Sequence, residues 1–294
     1  MSKRKIGWIG AGKMGLPICK RLKSAGHDVT ILARRPAQVE VLGSQGFTCA
    51  ETVGDTMRGA DVIFTAVTDD KALSDVVLNS SFVSALTASA IFIDISTVSP
   101  AVSAEISSYL PSGNAFLRSP VSGSTGMAEA GTLTALVSGP RAAFDELSDV
   151  FATFTKKAFH LGGGEEARYL KLAINSMVAA TAALLGEALA FGLKGGLSNE
   201  SMLEVITQSA VASPLIGYKK DMIISGDYSP AATLNMLRKD LDLLLLTARD
   251  LGTALPINSG IKQIYEAASA RGLGDRDFFV LVQEAEMASG AAHR

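Results

Sequence analysis

Short apolar runs rich in Ile, Val and Phe recur through the first half of the chain, at 5–10, 28–33, 61–67, 90–95 and 114–118, with helical periodicity between them. That alternation is the rhythm of parallel strands joined by helical crossovers, and it predicts a doubly wound α/β domain over residues 1–164. The runs at 133–139 and 156–161 are expected to continue the same sheet. Gly162-Gly163-Gly164 ends the pattern, and from Glu165 onward the periodicity is helical throughout. Turn signals fall at Gly195-Gly196, Ser213-Pro214, Ser229-Pro230, Leu255-Pro256 and Gly272-Leu273-Gly274. The prediction is an all-α second domain over 165–294, joined to the first by the helix after the triple glycine. The longest apolar stretch, 177–193, carries Glu187 and several small residues, and reads as a buried helix rather than a membrane span.

Composition narrows the class. A chain of 294 residues exceeds what one hydrophobic core usually holds, which agrees with two domains. With 48% apolar and 19% charged residues it has ample material for packed interiors, and disorder is excluded. A mean hydropathy of +0.28 fits apolar surface buried between subunits, although a larger intramolecular core gives the same figure. We expect a homodimer or homotetramer. The 27 basic and 29 acidic residues leave a net charge of −2, without the basic excess that nucleic acid or an anionic membrane surface requires. Cys19 and Cys49 stand apart from any C-x-x-C pair and read as reduced packing residues. His27, His160 and His293 lie far apart, so no metal site is expected. The basic start runs directly into Ile6-Gly7-Trp8 with no signal-like apolar stretch, and a cytoplasmic location follows as an expectation.

The first strand leads into Gly10-Ala11-Gly12-Lys13-Met14-Gly15 and then an amphipathic segment ending at Ala25-Gly26. In a strand, loop and helix of this kind the first glycine permits the tight turn and the second admits a pyrophosphate. The third lets helix and strand pack closely, while the helix N-terminus offers N–H groups and a positive dipole end. The pattern alone is weak; its place at the start of a βαβ unit makes a dinucleotide site, and hence a Rossmann-type domain, the expectation. A glycine-rich turn without a ligand is the bland alternative. About twenty residues further on, where an acid would bind the ribose 2′-OH of NAD, the chain has Ala33-Arg34-Arg35-Pro36. With no carboxylate there and two guanidinium groups able to grip a phosphate, NADP is expected in preference to NAD, unless both arginines are simply solvated.

Ligands in such sheets lie beyond the carboxyl ends of the strands. The segments in question are Val67-Thr68-Asp69-Asp70, Ser96-Thr97-Val98-Ser99 and Ser119-Pro120-Val121-Ser122-Gly123-Ser124-Thr125, where hydroxyls and glycines dominate. They suit a small carboxylate, although Ser96, Ser99 and Ser119 read more readily as turn or cap residues. On the helix after the triple glycine, Lys171 and Asn175 stand four apart on one face among Leu170, Leu172 and Ile174. Apolar surroundings destabilise an ammonium and bring a lysine toward acid/base duty. Spacing alone nevertheless favours a snorkelling lysine. Lys239-Asp240, taken alone, reads as a surface ion pair of little worth.

Together these residues resemble the β-hydroxyacid dehydrogenase family, which includes 3-hydroxyisobutyrate dehydrogenases and tartronate semialdehyde reductases. Gly7-Trp8-Ile9-Gly10-Ala11-Gly12-Lys13-Met14-Gly15 resembles its cofactor signature, and Pro120-Val121-Ser122-Gly123 with Gly126 and Ala130-Gly131-Thr132-Leu133 resembles its substrate loop. Lys171 with Asn175 matches its K-x-x-x-N, and Leu237-Arg238-Lys239-Asp240-Leu241 its late K-D-L element. Four motifs in family order favour an acid/base role for Lys171 over the snorkelling one. The resemblance implies hydride exchange between NADP and the hydroxyl-bearing carbon of a small 3-hydroxy acid, in a cleft between the domains. Lys171 would move the hydroxyl proton and Asn175 would orient it. Ser122 and Gly123, with Ser124 and Thr125, would meet the substrate. Gly10, Ala11, Gly12, Lys13, Met14, Gly15, Arg34, Arg35, Val67, Thr68, Thr97 and Lys239 would meet the cofactor.

The chain departs from the family pattern at Arg118-Ser119, where an acid and alanine are common, and at Ser124, where a second glycine is common. The extra hydroxyls of Ser124-Thr125 leave serine or threonine in competition with 3-hydroxyisobutyrate, semialdehydes and glyoxylate. Two other readings stand: an imine reductase, which should carry another residue at the position of Lys171, and an NADP-binding module without turnover.

Overall fold

The computed structural model describes residues 3–290. They form two compact units that divide between Lys171 and Leu172, inside one long helix, Glu166–Lys194.

The first unit is built on a six-stranded parallel sheet. Its strands are β1 (Lys5–Ile9), β2 (Asp28–Leu32), β3 (Thr48–Ala50), β4 (Val62–Thr65), β5 (Ile91–Asp94) and β6 (Phe116–Arg118). The order β3-β2-β1-β4-β5-β6 reverses between β1 and β4, which places a crevice at the carboxyl ends of those two strands. Both faces are covered, and the strand residues sort onto them with a period of two. Ile6, Trp8, Val62, Phe64, Ile91, Ile93 and Leu117 enter one core. Ile9, Ile63, Phe92 and Phe116 enter the other. A cross-strand aromatic stack on each face, Trp8 on Phe64 and Phe92 on Phe116, adds to the burial.

The predicted strands at 133–139 and 156–161 do form, but they do not continue this sheet. β7 (Val121–Ser122), β8 (Leu133–Val137) and β9 (Thr155–His160) make a second, three-stranded sheet in that order. β8 meets the end of β6 through one antiparallel bridge, Arg118 with Ser138, and Pro120 then removes the next donor. β8 instead pairs antiparallel with β7 and parallel with β9. Apolar patterning marks both segments as strands; it does not state which neighbour they hydrogen-bond.

The second unit, as described, is helical. After Glu166–Lys194 come Asn199–Ile206, Pro214–Ser225, Leu234–Asp250, Pro256–Ala268 and Leu281–Ala288. Ser198, Ser213 and Thr233 cap their helices by accepting from the N–H groups of Ser201, Ile216 and Met236. Pro214 and Pro256 take first-turn positions. The core gathers Leu189, Ile223, Tyr228, Leu241, Tyr265 and Phe279. A buried ion pair, Lys219 to Asp277 at 2.6 Å, runs through it. By length and composition Glu166–Lys194 would suit a membrane crossing; 44% of its most apolar window is buried inside the protein.

Candidate active site

The glycine loop leaves β1 at its carboxyl end. Gly10 takes φ +101°, and a Cβ there would collide with the carbonyl oxygen of Ala66. A Cβ on Gly15 would collide with the carbonyl oxygen of Gly10, whereas Gly12 faces open space. Two of the three glycines are thus demanded by backbone packing. The third leaves room where a phosphate would approach. The helix Gly15–Ser24 begins with no side-chain cap on its first N–H groups, as an anion-binding N-terminus requires. The loop therefore fits a dinucleotide pyrophosphate. Ala11, Lys13 and Met14 lie in the same turn.

Arg34 and Arg35 follow β2, both exposed. Arg35 is the N-cap of Pro36–Ser44. Arg34 lines a cavity of about 400 Å³ together with Glu51, Thr52, Gly54, Asp75 and Asn79. No carboxylate occupies the end of β2 itself, although Glu51 and Asp75 share the cavity.

At the ends of β4 and β5 a buried network fixes the loops that carry Val67, Thr68 and Thr97. Asp94 closes β5 with its side chain fully buried, and its Oδ1 accepts from the hydroxyls of Thr65 and Ser96, each at 2.6 Å. Ser96 Oγ in turn accepts from the N–H of Val67 at 2.9 Å. The other oxygen of Asp94 accepts from Arg168 at 2.6 Å. Thr68 donates to Asp69, which caps the helix Asp70–Val77. Ser99 caps Pro100–Tyr109. Thr97 sits between Ser96 and Ser99, half-buried.

Ser122 ends β7, and Gly123 follows at φ +138°, where a Cβ would meet Leu133 Cδ2 at 2.7 Å. Ser124 is the N-cap of Thr125–Ala130, and its oxygen accepts from the N–H of Met127. One lone pair of its hydroxyl thus serves the fold. Arg118, the departure from the family pattern, turns away into a buried pair with Glu165: its Nε donates to Glu165 Oε1 at 2.8 Å, and its guanidinium lies over the Phe116 ring.

Lys171 stands half-buried on the long helix, three residues after Arg168. In the second unit the amide of Asn175 donates to Asp240 Oδ2 at 2.6 Å. Asp240, buried, also pairs with Lys239 at 2.9 Å. A pair expected at the surface is therefore part of an Asn175–Asp240–Lys239 chain. Sequence reasoning passed over Asp94 and Arg168, and it took Asp240 only as half of a surface pair. Asp94 and Asp240 carry a readable signal, a carboxylate inside or ahead of a strongly apolar run. Arg168 had only its helical spacing to Lys171.

Burial lowers the affinity of His27 for a proton, and it pushes the thiols of Cys19 and Cys49 up, which leaves both cysteines poor nucleophiles. His293 lies outside the described residues. Among those described, no group of His, Cys, Asp and Glu is arranged to hold a metal ion.

Residues 5–162 match the family model described as the NAD-binding domain of 6-phosphogluconate dehydrogenase. Residues 166–285 match that described as NAD-binding of NADP-dependent 3-hydroxyisobutyrate dehydrogenase. The chain is similar to the 2-(hydroxymethyl)glutarate dehydrogenase of Eubacterium barkeri, 31% identical over 98% of this chain and 97% of that one. Among solved structures, a Mycobacterium tuberculosis 3-hydroxyisobutyrate dehydrogenase with L-serine superposes with a TM-score of 0.86 at 24% identity, covering 96% of this chain and 99% of that one. An imine reductase from Pseudomonas sp. shares the fold at a TM-score of 0.61 and 19% identity, over 97% of this chain and 99% of that one. With a dinucleotide-binding loop formed by backbone demand and both family models spanning its two halves, the chain belongs to the β-hydroxyacid dehydrogenase family of NAD(P)-dependent oxidoreductases.

Proposed function

We propose that this protein is an NADP-preferring dehydrogenase of small 3-hydroxy acids, with 3-hydroxyisobutyrate, serine or threonine as substrate class and semialdehydes in reverse. The observation that carries it is Lys171, held one turn beyond a helix start that Arg168 locks to the end of β5. The nicotinamide cofactor, when bound, supplies the hydride acceptor. Lys171 takes the hydroxyl proton in oxidation and returns it in reduction. Ser122 Oγ and the backbone at Gly123 hold the substrate carboxylate, with Thr125 and the remaining capacity of Ser124 facing a second polar substituent. Asn175, through Asp240, keeps the lysine-bearing helix and Lys239 in one hydrogen-bonded chain. Gly10, Ala11, Gly12, Lys13, Met14 and Gly15 hold the pyrophosphate. Val67, Thr68 and Thr97 hold the ribose nearer the nicotinamide, and Lys239 adds a cofactor contact. Arg34 and Arg35 supply charge for a 2′-phosphate.

The assembly we propose is a homo-oligomer. Leu170, Met177, Leu184 and Phe191 recur every seven residues on the long helix, and Met177, Leu184 and Phe191 are each at least 69% exposed. A second copy laid antiparallel sets Leu170 against Phe191 and Met177 against Leu184, and brings Lys194 near Glu166. Light scattering should give a multiple of 30.6 kDa for the wild type and a smaller mass for Leu184→Glu/Phe191→Glu.

The functional test is initial rates with NADP and NAD against 3-hydroxyisobutyrate, L- and D-serine, L- and D-threonine and glycerate, with semialdehydes and glyoxylate in reverse. One hydroxy acid should turn over best with NADP, and Lys171→Ala should lower kcat by about 10²–10⁴-fold with cofactor binding retained. Turnover of cyclic imines, with none of any hydroxy acid, would overturn the proposal.

A further inference from the structure

Arg168 is the most deeply buried cation of the first unit, with 1% of its side chain exposed, and it makes three kinds of contact. Its Nη2 donates to Asp94 Oδ2 at 2.6 Å, its Nη1 to the carbonyl oxygen of Ser96 at 2.8 Å, and its Nε to Ser103 Oγ at 3.2 Å. Those partners lie at the end of β5, in the loop that follows it and on the helix Pro100–Tyr109. Asp94 then reaches Thr65 at the end of β4, and Ser96 reaches the N–H of Val67. One guanidinium is thus wired to both loops that follow the central strands, and the carbonyl it grips belongs to the residue before Thr97.

Burying such a pair is costly, and apolar side chains of equal volume would hold a helix against a sheet as well or better. What an apolar contact does not supply is a fixed rotation and height. A planar fork with three donors engaged defines both. Lys171 follows by three residues, about 4.5 Å along the axis and about 60° around it, within the same turn. Arg118 to Glu165 adds a second buried tether just before the helix begins. The helix is therefore clamped in the turn that delivers the lysine.

We propose that Arg168 and Asp94 are positioning residues that set where Lys171 stands relative to the loops of Val67 and Thr97. They touch neither substrate nor cofactor, and the inference rests on the assignment of Lys171 as the proton-transfer residue. Misplacing a reacting group by about 1 Å costs on the order of 100-fold in rate, which is the effect expected here.

The test compares wild type, Arg168→Lys, Asp94→Asn, Lys171→Ala and Arg168→Lys/Lys171→Ala with the fastest hydroxy acid of the panel above and NADP. Arg168→Lys keeps the charge and loses the fork; Asp94→Asn keeps the shape and loses the charge. Each should lower kcat by about 100-fold, with NADPH affinity and substrate KM changed less than about threefold. The double variant should be no slower than Lys171→Ala alone, because a helix without the lysine has nothing to place. Methylamine added to Lys171→Ala supplies a diffusible base, and the rescued rate should be the same with Arg168 or with Arg168→Lys. A merely structural role would slow the Lys171→Ala background and its rescue by the same factor as the wild type, and that result overturns the inference. So does an unchanged kcat in both single variants while Lys171→Ala is inactive. Full activity of Lys171→Ala would instead overturn the assignment of the lysine. Absence of wild-type turnover on the whole panel would remove both.

Discussion

Two buried ion pairs of similar length, one in each unit, are built to different ends. In the first unit Arg168 spreads its donors over a carboxylate, a carbonyl and a hydroxyl on separate elements at the carboxyl edge of the sheet. In the second, Lys219 puts its charge on Asp277, with Met222 Sδ at 3.7 Å, over the rings of Phe278 and Phe279. Asp277 meanwhile accepts from the N–H groups of Ala231 and Phe279 and so closes a turn of the fold. A fork fixes direction; a point charge in an aromatic nest fixes proximity. The first arrangement is suited to holding a reactive residue in place and the second to holding a core together.

Breaking each pair should separate these roles. The largest effect is expected from Asp277→Ala, which strands an ammonium in the core and uncaps two N–H groups. The cost should be about 3–5 kcal/mol, lowering Tm by about 10 °C or more, with kcat of the folded enzyme unchanged. Replacing the pairs whole sharpens the contrast. Lys219→Met/Asp277→Asn should keep both stability and kcat close to wild type, whereas Arg168→Met/Asp94→Asn should keep most of the stability and lose turnover about 100-fold. Thermal unfolding and steady-state kinetics on the same samples decide it.

Charges left in water form the third term of the comparison. Arg34 and Arg35 are exposed, and removing a charge-assisted contact to a phosphate costs about 1.5–3 kcal/mol. Arg34→Ala/Arg35→Ala should therefore raise KM for NADP by about tenfold or more and leave KM for NAD within about twofold. A parallel loss with both cofactors would remove the arginines from the 2′-phosphate. The smallest effect is expected at a buried group kept neutral. His27 accepts the N–H of Arg4 at Nδ1, and burial holds its pKa below the usual 6.5. The unfolded chain then takes up the proton first as pH falls through that value, so stability is present above it and drains away below. Between pH 7.5 and 5.5 the wild type should lose more Tm than His27→Asn, which keeps an acceptor and cannot titrate.

Local patterning fixed a good deal of this protein. The strand positions at 5–10, 28–33, 61–67, 90–95 and 114–118, the glycine loop and the proline-led helix starts at 214 and 256 all answer to local rules of burial, φ and capping. The same rules place Lys171 and Asn175 one turn apart, because helical spacing needs no knowledge of what lies opposite. They did not distinguish β8 and β9 as a separate sheet, since a strand's pattern records which face is buried and not which edge is paired.

The long-range partners of buried polar groups were decided by tertiary structure. Asn175 reads from spacing as the neighbour of Lys171, and its amide donates to Asp240, 65 residues away. Arg118 reads as an anomaly beside the substrate loop, and it is taken up by Glu165. Arg168 drew no notice in the sequence, and it finds Asp94 across 74 residues of chain. Hydrophobic burial is enforced residue by residue and therefore leaves a periodic trace in the sequence. A buried charge is satisfied by the few partners the fold delivers, often far along the chain, and nothing local to either residue records the meeting.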